Sequence, residues 1–78
     1  MTFEAVKNKL DSYVMPTYSR FPVALVSGKN ATAKDTEGKE YIDFTSGIGV
    51  NCLGYSDEKW AAAVAKQAAA IQHTSNLY

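Results

Sequence analysis

Four kinds of residue in this chain could do chemistry: one thiol at Cys52, one imidazole at His73, a strand aspartate at Asp43 and seven scattered lysines. A cysteine nucleophile needs an adjacent base and a positive surrounding. Twenty-one positions separate Cys52 from His73, and nothing in the intervening residues turns one toward the other. The simpler expectation makes Cys52 a small apolar packing residue and His73 a polar group near a helix C-terminus, where positive charge is favoured. One histidine without a second soft ligand nearby offers no zinc set. Asp43 lacks a partner for paired-carboxylate work, and Asp35, Glu37 and Glu40 belong to a turn, where they read as solvated charges. No lysine lies in an apolar run that would depress its pKa for Schiff-base chemistry. The residues therefore define no self-contained catalytic centre.

The spacing Gly47-x-Gly49-x-x-Cys52 follows a strand and invites a dinucleotide-binding reading. That motif needs a third glycine where Cys52 stands and a helix that starts inside it, whereas helical signals here begin near Ser56. A Walker phosphate loop is absent, since no Gly-Lys-Ser/Thr triplet occurs. What remains is an apolar loop, with Ile48, Val50 and Leu53 set among Gly47, Gly49 and Gly54. Glycines there let the backbone approach another body closely, so the loop wants a covering surface.

The elements that would carry this loop are legible in order. Phe3, Val6, Leu10 and Val14 have helical spacing, with Thr2 as cap and Glu4 near the positive end of the dipole. Pro16 ends that helix, and Met15 to Pro22 reads as an extended connection. Val23 to Val26 is a short apolar strand closed by Ser27-Gly-Lys-Asn30. A hairpin follows, with Ala31 to Lys34 and Glu40 to Phe44 paired antiparallel across Asp35-Thr-Glu-Gly-Lys39. Alternation places Ile42 and Phe44 on one face, expected to be the core face, and Tyr41 and Asp43 on the other. Ser56 is the expected cap of a final helix, whose stripe is Trp60, Val64, Ala68 and Ile71 and whose many alanines make it slim. The fold class is α+β, within one small domain spanning 1–78.

Composition narrows the partners. Eight basic residues balance eight acidic ones, and they form no stripe, which argues against nucleic acid. A single cysteine excludes an internal disulfide framework and suits a reducing compartment. The Met-Thr-Phe-Glu-Ala-Val-Lys start lacks a secretory pattern, and no apolar run approaches a membrane span. A cytoplasmic protein is expected. The polar run Gln72 to Asn76 is followed by apolar Leu77 and Tyr78 with no stop signal, and we expect the chain to be a segment of something longer.

The order of features is more specific than any one. Pro16-Thr-Tyr-Ser-Arg20-Phe-Pro-Val, then Lys34-Asp-Thr-Glu-Gly-Lys-Glu-Tyr-Ile-Asp-Phe44, then Ser46-Gly-Ile-Gly-Val-Asn51 with Leu53-Gly54, and a His73-Thr-Ser-Asn-Leu-Tyr78 ending resemble the opening of the acetylornithine branch of the class III, fold type I aminotransferases. The ornithine, GABA and succinylornithine branches are similar over the same stretch. This resemblance implies a pyridoxal phosphate enzyme moving an amino group between N-acetylornithine and 2-oxoglutarate in arginine biosynthesis, and acting as a homodimer. It implies that the Schiff-base lysine and most cofactor contacts lie outside these residues, so that catalytic and cofactor-binding residues here are none and the isolated chain is inactive. It also implies that Gly47, Ile48 and Gly49 line the substrate side of the pocket, and that Asn76, Leu77 and Tyr78 approach it near the dimer interface. The family usually shows Gly-His-x-His-Pro where this chain has Gly54-Tyr-Ser-Asp-Glu58. The rival expectation is a free-standing module that self-associates through the apolar loop and the Ala-rich helix.

Overall fold

The computed structural model describes residues Met1–Tyr78 in the order α1 (Phe3–Tyr13), β1 (Leu25–Lys29), β2 (Thr32–Asp35), β3 (Glu40–Ile42), α2 (Ser46–Gly49) and α3 (Glu58–Ala70). Thr2 caps α1 by accepting from the Ala5 N–H at 3.2 Å, which satisfies one donor that no helical carbonyl can reach. The chain leaves the helix at extended Val14, two residues before Pro16, as the loss of the proline N–H and the crowding ahead of its ring require.

The strands form an antiparallel sheet in the order β1-β2-β3. Thr32 pairs Ile42 and Ala33 pairs Tyr41, while Lys29 pairs Thr32 and Gly28 pairs Ala33. Between Leu25 and Ser27 the register shifts, an extra residue that bends and twists the edge strand. The first strand therefore lies later than the apolar run Val23 to Val26 suggested, and Ser27-Gly28-Lys29, expected to turn, are paired strand residues. The turn after β2 is closed by a glycine. Gly38 has φ +83, its N–H bonds the Asp35 carbonyl at 3.1 Å, and the Asp35 N–H bonds the Lys39 carbonyl at 3.0 Å.

Only Ala33, at 1% exposure, is buried. The covered face of the sheet is the one carrying half-buried Tyr41 and Asp43, whereas Ile42 is 69% exposed and Phe44 90%. The expectation that Ile42 and Phe44 face a core is thus reversed. The reason is non-local. Tyr55, which follows the glycine loop, folds back over β1 so closely that a Cβ on Gly28 would lie 2.7 Å from its ring. It also pairs with Asn30 through two backbone hydrogen bonds of 2.8 and 3.0 Å.

The radius of gyration is 15.8 Å, against about 11.5 Å for a compact domain of this length. Strands pack only with strands, and neither long helix lays its apolar stripe on the sheet. Trp60 and Val64 on α3, and Ile71 just beyond it, are exposed. The side of α1 carrying Phe3, Val6 and Leu10 borders an open groove of about 660 Å³ shared with Tyr18 and Phe21. At its start α3 is tied to β1, where Lys29 donates to the Ser56 carbonyl at 3.3 Å and approaches Glu58 at 3.6 Å. Its cap is Asp57, which accepts from the Trp60 N–H at 2.9 Å. Ser56, the expected cap, instead has φ +56, a left-handed turn residue just ahead of the helix, and Ile71, expected on the helical stripe, is already extended. No helix is long and apolar enough to cross a membrane.

Candidate functional site

The glycine loop is a built structure. Ser46, Gly47, Ile48 and Gly49 have φ of +53, +60, +62 and +86, a single left-handed helical turn held by bonds from the Ile48 and Gly49 N–H groups to the Thr45 carbonyl and from the Asn51 N–H to the Ser46 carbonyl. Glycine enters this region freely. For Ser46 and Ile48 the Cβ crowds the following carbonyl at about 1–2 kcal/mol each, and a β-branched residue there is a genuine outlier. The turn lifts Ile48 outward to 97% exposure.

Asp43 anchors the turn. Its Oδ1 accepts from the backbone N–H groups of Thr45 and Ser46 at 2.9 Å each, and from the Thr45 hydroxyl at 3.2 Å. The Ser46 and Thr45 amides hold the Asp43 carboxyl below the usual aspartate range, and the Asp43 carboxylate pushes the Tyr55 phenol up. Gly54 lets Tyr55 come up against the Asn30 backbone. Its φ is +80, and a Cβ there would lie 3.0 Å from the Asn30 backbone.

A second, parallel arrangement stands at the hairpin. Asp35 Oδ1 accepts from the Glu37 and Lys39 N–H groups at 2.9 Å, and its Oδ2 accepts from the Tyr41 hydroxyl at 2.9 Å. Asp35, expected as a solvated turn charge, is therefore structural. Lys39 lies 5.2 Å from the centre of the Tyr41 ring, and Lys34 and Lys7 pair with Glu40 and Asp11.

Of the residues expected at a substrate site, Gly47, Ile48 and Gly49 are together on the left-handed turn. Asn76, Leu77 and Tyr78 lie beyond α3, where the Leu77 and Tyr78 N–H groups bond Ser75 locally. No hydrogen bond joins the two sets. Cys52, expected as a packing residue, is exposed. The roles that sequence reasoning missed are those of Asp43, which holds the turn, and Tyr55, which lies on Gly28. An aspartate two and three places before Thr45 and Ser46 has the spacing of a side-chain turn, but nothing local announces Tyr55.

These residues do not by themselves fit a pyridoxal phosphate group. Lys29, Lys34, Lys39 and Lys7 are exposed and committed to carboxylates, a carbonyl or an aromatic face. None faces an enclosed apolar site of the kind that activates an imine-forming lysine.

An α+β segment with one bent antiparallel meander and a strained glycine turn has clear relatives. Residues 13–78 match the aminotransferase class-III family, and the chain belongs to that family. It is 44% identical over all 78 residues to the acetylornithine aminotransferase of Haemophilus ducreyi, and covers 20% of that protein. Its structure is similar to the acetylornithine aminotransferase of Elizabethkingia anophelis, with a TM-score of 0.88, 28% identity, and coverage of 100% of this chain and 20% of that one. The ornithine aminotransferase of Toxoplasma gondii gives a TM-score of 0.85 at 29% identity, over 100% of this chain and 18% of that one. The chain thus spans about a fifth of the length of the proteins it matches.

Proposed function

We propose that these residues form the opening part of the minor domain of an acetylornithine aminotransferase, which moves an amino group between N-acetylornithine and 2-oxoglutarate in arginine biosynthesis. The observation that carries this reading is the likeness of the whole chain to the Haemophilus ducreyi enzyme. In the complete enzyme, pyridoxal phosphate supplies the electron sink for the reaction, held by residues outside the 78. The part of this chain is to shape the pocket. Ile48, lifted on its left-handed turn, is the apolar wall against which the donor's aliphatic arm packs, and Gly47 and Gly49 let the backbone come close on either side. Asn76, Leu77 and Tyr78 complete the entrance beside the interface of a homodimer working in the cytoplasm.

The exposed apolar side chains support the dimer reading. Phe44, Ile48, Val50 and Leu53, together with the α3 stripe, leave far more uncovered apolar surface than a small domain tolerates. They also support the narrower alternative that the isolated chain self-associates without catalysis. Sedimentation of the purified chain as a monomer at high concentration would overturn both uses of that surface.

The test of the enzymatic reading is a replacement. These 78 residues take the place of the matching opening segment of the Haemophilus ducreyi enzyme, and transamination is measured with N-acetylornithine, ornithine and GABA as donors. Retained preference for N-acetylornithine is expected. A folded chimera that prefers ornithine or GABA would sink the donor assignment.

A further inference from the structure

Thr45 and Ser46 share the peptide unit from which the left-handed turn is built. Its N–H, that of Ser46, meets the Asp43 carboxylate at 2.9 Å. Its carbonyl, that of Thr45, accepts from the Ile48 N–H at 3.0 Å and the Gly49 N–H at 3.2 Å. A trans peptide is planar and carries its N–H and C=O on opposite sides, so fixing the one aims the other. The same carboxylate oxygen takes the Thr45 N–H at 2.9 Å and the Thr45 hydroxyl at 3.2 Å, which seats it firmly beside this unit. The unit is held against its own preference. Thr45 has φ −105 and ψ −21, and Ser46 has φ +53. Turning the peptide over by half a rotation would bring Thr45 to extended backbone and Ser46 to negative φ, where a residue with a Cβ is unstrained. The turned peptide would aim the Thr45 carbonyl at the Asp43 carboxylate, oxygen against oxygen, and would take the shared acceptor away from Ile48 and Gly49.

We propose that Asp43 is a positioning residue for the amino-donor pocket, locking the Thr45–Ser46 peptide in the orientation that builds the left-handed turn and so fixing where Ile48 stands. The lock has two parts, since the carboxylate attracts the Ser46 N–H and repels the carbonyl that would replace it. Asp43 bonds neither Ile48 nor Gly49, and its hold on them runs through the one peptide plane. Removing the carboxylate frees that plane to turn. Ile48, at φ +62 and 97% exposed, then has neither its backbone acceptor nor a packed neighbour to keep it, and the apolar wall retreats from its place. Such a change weakens donor binding and leaves the chemical step, performed by residues outside these 78, nearly untouched. The kinetic part of this inference rests on the proposed reading of Ile48 as a pocket wall, whereas the peptide lock does not.

The experiment uses full-length aminotransferase carrying these 78 residues, with Asp43→Ala, Asp43→Asn, Ile48→Ala, Ser46→Gly and the Ser46→Gly/Asp43→Ala double variant. Amide hydrogen exchange at Ile48 and Gly49, which Asp43 does not bond, is expected to quicken in Asp43→Ala. Its KM for the amino donor should rise about threefold or more while kcat stays within about twofold, the pattern of a lost binding contribution. Asp43→Asn keeps an oxygen acceptor in place and should fall between the parent and Asp43→Ala. With glycine at 46 a positive φ carries no penalty, so Asp43→Ala should raise KM less in the Ser46→Gly background. Should Asp43→Ala not fold, Asp43→Asn against the parent, and the double variant against Ser46→Gly, make the same comparisons. Unchanged exchange at Ile48 and Gly49 overturns the proposal. So does a raised KM in Ile48→Ala that Asp43→Ala fails to reproduce, or an Asp43→Ala effect that Ser46→Gly does nothing to relieve. Quickened exchange with unchanged KM in both Asp43→Ala and Ile48→Ala leaves the peptide lock standing and overturns the reading of Ile48 as a substrate wall.

Discussion

The Tyr41 hydroxyl donates to Asp35 at 2.9 Å across the hairpin turn, while the other oxygen of that carboxylate holds the Glu37 and Lys39 amides. Partial loss of hydration raises the Asp35 pKa, but the Tyr41 hydroxyl, the Lys39 and Glu37 amides and the Lys39 charge together outweigh it and leave the carboxyl below its ordinary value. The same bond holds the Tyr41 phenol above its ordinary value. Because the folded state lowers the Asp35 pKa, its contribution to stability is complete above the unfolded value and is lost as pH falls through the folded one. Asp43, lowered by the Ser46 and Thr45 amides, has the same sign. Thermal midpoints of the full-length protein should therefore fall on acidification below the usual aspartate range, and less steeply in Asp35→Asn. An equal acid slope in that variant would remove Asp35 from the account.

Three glycines should respond differently to alanine. Gly38 has φ +83 with open space around it, so Gly38→Ala costs about 1–2 kcal/mol of backbone strain alone. Gly28 has an ordinary backbone but would press a Cβ to 2.7 Å from the Tyr55 ring, an overpacking cost of about 1–3 kcal/mol. Gly54 combines both faults, at φ +80 and 3.0 Å from the Asn30 backbone, and should be the most damaging. Denaturant midpoints of the three variants give the ranking. Gly54→Ala as the mildest would contradict the close approach.

Ile48→Gly should stabilise the folded protein by about 1 kcal/mol, since the left-handed penalty at this exposed side chain disappears. Ile48→Ala retains a Cβ and should show no such gain. A higher urea midpoint for glycine than for alanine, measured side by side, checks the strain directly.

At the start of α3 the roles of two neighbours can be separated. Asp57→Ala removes the acceptor for the Trp60 N–H and should cost about 1 kcal/mol. Ser56→Ala should change little, because Ser56 sits outside the helix with φ +56. The reverse order of urea midpoints would restore Ser56 as the cap.

Much of this arrangement is written locally, and the rest is not. Thr2 and the Phe3, Val6, Leu10 spacing place α1 within a residue of its observed end, and Asp35 to Lys39 announces its hairpin, because caps and turns are decided within four or five residues. Ser27-Gly28-Lys29 has turn composition and yet forms strand. Gly28 is small for the sake of Tyr55, which is twenty-seven positions away, and local pattern carries no trace of that. Pattern misplaces the covered face of the third strand for the same reason: Ile42 and Phe44 are the more apolar pair, but the lid over this sheet is Tyr55, whose ring lies on Gly28. The Ser46 to Gly49 segment reads as a loop, since composition permits a left-handed turn without requiring it. Ile48 was legible as an apolar residue in need of cover, and its strain was not.

The pairing of Asn30 with Tyr55 also sets a sequence of events in time. Each hairpin of the meander closes over a few residues, and such closures take roughly microseconds. Bringing Tyr55 back to Asn30 requires a far larger loop, with its greater closure entropy, and must wait until Gly28 and Asn30 have a sheet to belong to. The pairing of Asn30 with Tyr55 is therefore among the last features of this segment to settle during folding, and in the native protein it should be among the first to open.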